Sequence, residues 1–130
     1  MGGALYVDGG GSVFIADSVF TSNRADGYYG GALFITRGEL TITNSIFTRN
    51  KGNDGGAMAL MGVNAVKIIK SSIISYNIAT GLGGGVYYLG GNDITIEDIT
   101  IKENTAGNDG GGLYVRDAKV TIADTWFISN

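Results

Sequence analysis

The sequence contains no cysteine, no proline and no histidine. Without cysteine there is neither a disulfide framework nor a thiolate metal site. Without histidine the chain lacks the commonest metal ligand and the commonest general base, which removes much familiar enzyme chemistry. Charge is sparse: 9 basic and 12 acidic side chains among 130 residues leave a formal net charge of −3. That balance gives no basic field to hold a phosphate backbone, so nucleic acid is not an expected partner. No apolar run approaches the roughly 18 residues that mark a membrane-spanning helix. The opening residues, Met1, Gly2, Gly3, Ala4, Leu5 and Tyr6, form neither a basic segment nor an apolar signal core. Any targeting segment is expected outside this chain.

Glycine is abundant, with 23 residues, in a chain that is 44% hydrophobic. Such glycine content would suggest a linker, but the Val, Ile, Phe and Tyr between the glycines read as strands. A search for internal repeats organises them. Asparagines fall at Asn23, Asn50, Asn77, Asn104 and Asn130, in steps of 27, 27, 27 and 26 residues. Three positions before each stands a large apolar residue: Phe20, Phe47, Ile74, Ile101 and Phe127. Glycine pairs open the units at Gly2-Gly3, Gly30-Gly31, Gly55-Gly56, Gly83-Gly84 and Gly110-Gly111. The approximate repeats are 2–29, 30–54, 55–82, 83–109 and 110–130, within a single domain 1–130.

Within each unit the hydrophobic period is two, which predicts strand. Val13 with Ile15, Leu40 with Ile42, Ile94 with Ile96, and Val120 with Ile122 each share one face. In the third unit Lys67 falls where an aliphatic residue is expected, and a one-residue shift through Val66 and Ile68 would restore the pattern. A polar turn column follows at Asp17, Asn44, Ser71, Asp98 and Asp124. Each unit thus predicts three short strands: after the glycine pair, around the Ile, and around the Phe. No unit can bury its apolar face alone, so the units must stack, roughly 4.8 Å apart, with like residues in columns. This predicts an all-β, right-handed, single-stranded parallel β-helix of about five coils. The Phe/Ile column becomes an internal ladder and the asparagines an amide ladder at a corner, each donating to the next coil and accepting from the previous one. Asparagine also tolerates a left-handed turn conformation. The glycines suit another corner that needs positive φ or close backbone approach.

The tandem Gly-Gly-Ala-Leu motif at residues 2–5 and 30–33, and the Phe-x-x-Asn motif at 20–23, 47–50 and 127–130, resemble the repeats of the chlamydial polymorphic outer membrane proteins. The resemblance runs through all the units, with Gly-Gly-Ala-Met at 55–58, Gly-Gly-Gly-Val at 83–86, Gly-Gly-Gly-Leu at 110–113, and Ile for Phe at Ile74 and Ile101. Proteins of that family are autotransporter-like surface proteins with β-helical, pectin-lyase-like passengers. The resemblance implies adhesion or surface display, extracellular or on an outer membrane, towards a protein or glycan of a host or neighbouring cell. It implies no cofactor and no catalytic residue.

Several chemistries compete with that expectation. Many pectin-lyase-like helices cleave acidic polysaccharides, and Asp98 with Asp124, stacked about 5 Å apart, could mimic a retaining glycosidase pair. The turn column as a whole is the residue set that bonds its own turn backbone. Lys67, Lys70 and Arg49 could supply a lyase base, although Lys70 is expected beside Glu97 in an outward ion pair. Asn53-Asp54 and Asn108-Asp109 place hard oxygens in glycine turns but match no calcium-loop pattern. Thr41, Thr95 and Thr121, with Thr43 beside them, suggest an ice-binding array broken by Phe14 and Ile68. No catalytic, cofactor or metal residue is therefore assigned.

The expected functional surface is apolar. With the Phe20 column inward, strand alternation turns Val19, Ile46, Ile73, Thr100 and Trp126 outward. With Leu5, Leu33, Met58, Val86 and Leu113 inward, it turns Tyr6, Phe34, Ala59, Tyr87 and Tyr114 outward. Either column would make a contact stripe. The chain shows no capping segment before the first glycine motif or after the last asparagine, so it is expected to be an uncapped piece of a longer array. Its partners would then include additional coils of the parent chain, and its ends would self-associate.

Overall fold

In the computed structural model, which describes residues 2–90 and 92–130 apart from the side chains of Lys67 and Ile69, the chain winds into a parallel β-solenoid of five rungs. Every strand pair is parallel, and no helix occurs among the described residues. The first sheet stacks Leu5–Val7, Leu33–Ile35, Met58–Met61, Val86–Leu89 and Leu113–Arg116. The second begins with Ser12–Ala16 and Gly38–Thr43, passes through the long strands Val63–Ser75 and Ile94–Lys102, and ends at Val120–Ala123. The two long strands also turn the corner into the Phe/Ile column, where they pair with Ile46–Thr48 and Trp126–Ile128, and Ile46–Thr48 pairs in turn with Val19–Thr21. A further short sheet, absent from the three-strand expectation, stacks Lys51–Gly52, Ile78–Ala79 and Thr105–Ala106. Its sequence signal is the column of small residues two places after the first four ladder asparagines, Ala25, Gly52, Ala79 and Ala106, which lets this wall lie close to the glycine corner.

The inward columns meet in one continuous core. Leu33, Met58 and Val86 from the first sheet pack with Leu40, Ile42, Val66, Ile68, Ile94 and Ile96 from the second and with Phe47, Ile74 and Ile101 from the third wall. Phe20 stacks on Phe47 with ring centroids 4.6 Å apart and planes 3° from parallel. Phe127, in the fifth rung, is exposed.

Each corner has its own device. At the first, the polar turn residues Asp17, Asn44, Ser71, Asp98 and Asp124 all adopt left-handed backbone, with φ between 45° and 54°. The next residue begins a second polar ladder: the Ser18 and Ser45 amides donate to the Ser45 and Ser72 hydroxyls of the following coil at 3.1 and 3.2 Å. Ile99 takes that position in the fourth coil and ends the ladder.

The second corner holds the asparagines, and here the conformational expectation is corrected. The left-handed residue is the one before each asparagine, Ser22, Arg49, Tyr76, Glu103 and Ser129, with φ between 50° and 56°. The asparagines are thereby freed to point inward. The Asn23, Asn50 and Asn77 side-chain amides each donate to the Oδ1 of the next asparagine at 2.9 Å, and Asn104 donates to Asn130 at 2.8 Å. Each receiving oxygen also accepts the backbone amide of the same preceding asparagine.

At the third corner the glycine pair divides its work. Gly30, Gly55, Gly83 and Gly110 take positive φ, between 60° and 73°. Their successors need space instead, since a Cβ on Gly31 or Gly56 would fall 2.0 Å from a glycine carbonyl of the next coil.

The third coil contains one extra residue at the first corner. Both Lys70 and Ser71 are left-handed there, opposite the single Asp98 of the fourth coil, and the register slips between Glu97 and Ile99. This insertion brings Val66 and Ile68 into the inward columns, as the shifted pattern requires. It also corrects two expectations. Lys67, rather than Ile68, stands between Thr41 and Thr95 in the threonine column. Glu97 lies beside Ile69, and no ion pair joins it to Lys70 among the described residues.

Candidate functional site

The two outward columns fare differently. Tyr6, Phe34, Ala59, Tyr87 and Tyr114 are in register on the outside of the first sheet. Phe34 and Tyr87, expected as part of an open stripe, are each only 8% exposed, which corrects that expectation. The reason is local. Ala59 leaves a notch between them, and Tyr29, reaching over from the preceding loop, fills it with its ring 5.4 Å from Phe34 and 6.4 Å from Tyr87. Tyr6 on Phe34 at 5.3 Å and Tyr114 on Tyr87 at 5.5 Å complete a run of five rings, flanked by Leu82 and Leu89. Burial, and then the nearby Asp54 carboxylate, raise the Tyr87 phenol above the usual tyrosine range. Nothing in the sequence periodicity marks Tyr29, because it lies outside the columns.

Tyr29→Ala is expected to cost about 1–3 kcal/mol, the sum of two aromatic contacts. Tyr28→Ala, at an exposed neighbour, should stay within about 0.5 kcal/mol. Urea denaturation of the two variants checks this, and equal midpoints would count against the covering role.

The second column has no such cover and is the more open of the two. Val19 pairs with Ile46, Ile46 with Ile73, Ile73 with Thr100, and Thr100 with Trp126, so the five side chains form one line across all the coils. Val19 is 65% exposed, Ile46 37% and Trp126 58%, while Ile73 and Thr100 are half-buried. Beside the line, a cavity of about 250 Å³ is lined by Ser71, Ile73, Asp98, Thr100 and Trp126 among others.

The polar candidates are placed as follows. Asp98 and Asp124 occupy equivalent turn positions of neighbouring coils, both exposed, and neither joins an ion pair among the described residues. Lys70 is exposed on the same corner, whereas the Lys67 side chain lies outside the described residues. Arg49 stands at the asparagine corner, where its guanidinium and the Lys102 ammonium each lie 5.9 Å from the Tyr76 ring centroid. A hydrogen bond to Glu103 is the main cause that raises the Tyr76 phenol.

The glycine-turn oxygens are engaged in tying loops together. Asp54 accepts the Leu82 amide at 2.8 Å, and Asn53 accepts the Thr80 hydroxyl at 3.0 Å. Coil four's equivalent, Asn108, is bound through its backbone to Gly81. In the threonine column Phe14 is exposed at one end and Lys67 interrupts the middle, so Thr41 is separated from Thr95 and Thr121.

Stacked parallel coils, inward aliphatic ladders and polar corner ladders define a β-helical repeat protein. Residues 3–130 match the family model described as "Right handed beta helix region", and the chain belongs to that family. Over 130 residues it is 25% identical to the metabotropic glutamate receptor-like protein R of Dictyostelium discoideum, of which it spans 8%. No solved structure matches the chain.

Proposed function

We propose that the chain is a non-catalytic, surface-displayed β-helix module whose Val19, Ile46, Ile73, Thr100 and Trp126 line is a contact face for a partner molecule, protein or glycan, on a cell surface. The observation that carries this reading is the exposure of Val19, Ile46 and Trp126 along that line, while the parallel aromatic column is shielded by Tyr29. A contiguous exposed apolar strip is the usual mark of a contact site, and tryptophan is the residue most enriched at one. The resemblance of the Gly-Gly-Ala and Phe-x-x-Asn motifs to chlamydial surface-protein repeats supports display, and so does the receptor-like name of the Dictyostelium relative. Polysaccharide cleavage is the competing reading, through Asp98 and Asp124.

The test is adhesion of beads coated with the chain to cells and to immobilised glycans, comparing the native protein with Val19→Glu/Ile46→Glu. Both sites are exposed, so the fold should persist. Adhesion should fall roughly thirtyfold, the effect of losing about 2 kcal/mol at a central contact. Undiminished adhesion, or polygalacturonate cleavage abolished by Asp98→Asn, would sink the proposal.

A further inference from the structure

The contact line is not uniform along its length, and its most sculpted part lies where the coil repeat is broken. The extra residue in the third coil forces both Lys70 and Ser71 into left-handed backbone. In the fourth coil the corner ladder is interrupted by Ile99. Between these two irregular corners and the outward Trp126 lies the cavity of about 250 Å³. Its lining brings together the Asp98 carboxylate, the side chains of Ser71, Ser72 and Thr100, the Trp126 indole, and aliphatic Ile73 and Ile99.

Asp98 differs from the first two members of its column. Asp17 accepts the Asn44 side-chain amide, so those two turn residues satisfy one another. The Asp98 carboxylate makes no hydrogen bond or ion pair among the described residues, although it lines the cavity. An unengaged carboxylate is an acceptor for two hydroxyl donors, and bonds of that charge-assisted kind are stronger than neutral ones. The exposed indole offers a flat apolar face at the same rim.

We infer that this cavity is a subsite for one ring of a neutral saccharide, whose apolar face lies on Trp126 while adjacent hydroxyls donate to Asp98, with Ser71 and Thr100 completing the polar contacts. The inference rests on the contact-face reading and names the ligand class for it. Three features select this ligand. A sugar ring has one apolar face and a hydroxyl edge, the two surfaces that the indole and the carboxylate complement. The cavity is below the roughly 300 Å³ at which drug-sized pockets begin, which suits a single ring. An acidic sugar or a phosphate would meet the Asp98 charge in a chain of net charge −3, and is disfavoured.

Trp126 is the chain's single tryptophan, so its emission reports the site directly. The intact chain is titrated with the methyl glycosides of glucose, galactose, mannose and N-acetylglucosamine, with the disaccharides built from them, and with methyl galacturonoside. At least one neutral saccharide should shift the Trp126 emission saturably, and the galacturonoside should not. Asp98→Asn, whose new side chain tolerates left-handed backbone, should leave the melting curve in place and weaken binding about tenfold or more. Trp126→Ala, followed by calorimetry, should abolish it.

No saturable shift with any neutral saccharide, or a shift that survives Asp98→Asn, overturns the inference. Capture of protein partners alone does so too. The two readings separate cleanly. Loss of adhesion in Val19→Glu/Ile46→Glu without any saccharide response at Trp126 removes the subsite and keeps the contact face. A saccharide response with adhesion indifferent to those substitutions removes the contact face and keeps the subsite.

Discussion

Replacing Asn77 with alanine is expected to destabilise the solenoid by about 2–6 kcal/mol, a large part of the roughly 5–15 kcal/mol that keeps a domain folded. The figure follows from the bonds that one amide makes. Its oxygen accepts the Asn50 backbone amide and the Asn50 side-chain amide, both at 2.9 Å. Its nitrogen donates to the Phe47 carbonyl at 3.0 Å and to Asn104 Oδ1 at 2.9 Å. Asn50, Asn77 and Asn104 are all buried, so water cannot replace the lost partner. Alanine leaves two Asn50 donors unmatched, each at a cost of about 1–3 kcal/mol. Asn130 forms the same kind of rung but stands exposed, so solvent can reach the groups that Asn130→Ala would release. That change should cost about 1 kcal/mol or less. Thermal melts of the two variants give the comparison, with Asn77→Ala expected to fall by about 10 °C or more. Matching midpoints would mean that the amides decorate the corner without holding it.

The asparagine ladder was legible because its spacing is regular and its chemistry has few other uses at that spacing. The inward Phe20, Phe47, Ile74 and Ile101 column was legible for the same reason. What escaped the sequence has a common physical origin in contacts between positions that are not in register. Tyr29 belongs to no column, and only the notch over Ala59 makes it a cover for Phe34 and Tyr87. The serine ladder was hidden because Ser18, Ser45 and Ser72 resemble ordinary turn serines until their hydroxyls are seen under the amides of the preceding coil. The insertion at Lys70 and Ser71 was visible as a break in phase, but the cavity beside Trp126 depends on how the corner folds around it. The exposed line itself follows from alternation once the Phe face is fixed. Which of the two outward lines stays open does not follow, because that is decided by loop cover.

Gly56→Ala is expected to be among the most damaging single-methyl changes in the chain, at about 3 kcal/mol or more, the upper end of what overpacking costs. Gly56 has no positive φ, so the objection to a side chain there is wholly one of space. An added Cβ would lie 2.0 Å from the Gly84 carbonyl oxygen, 2.6 Å from the Ile78 nitrogen and 2.7 Å from the Ile78 carbonyl carbon. All three are backbone atoms, and none can rotate away. The Gly56 amide is itself bound to the Gly83 carbonyl at 3.0 Å, and the Ile78 amide to the Asn50 carbonyl at 2.9 Å. Relief would therefore pull the glycine corner away from the short sheet that contains Ile78–Ala79, next to the Asn77 rung. Two other glycines separate the causes. Gly27 has φ of 70° with open space where a methyl group would go, so Gly27→Ala meets only left-handed strain, about 1 kcal/mol. Gly10 has neither constraint, and Gly10→Ala should stay within about 0.5 kcal/mol. Urea denaturation should rank the midpoints Gly10→Ala, then Gly27→Ala, then Gly56→Ala. If Gly56→Ala unfolds at the native midpoint, the coils must be able to part at that corner, and the close approach of glycine to glycine is not what sets the stacking.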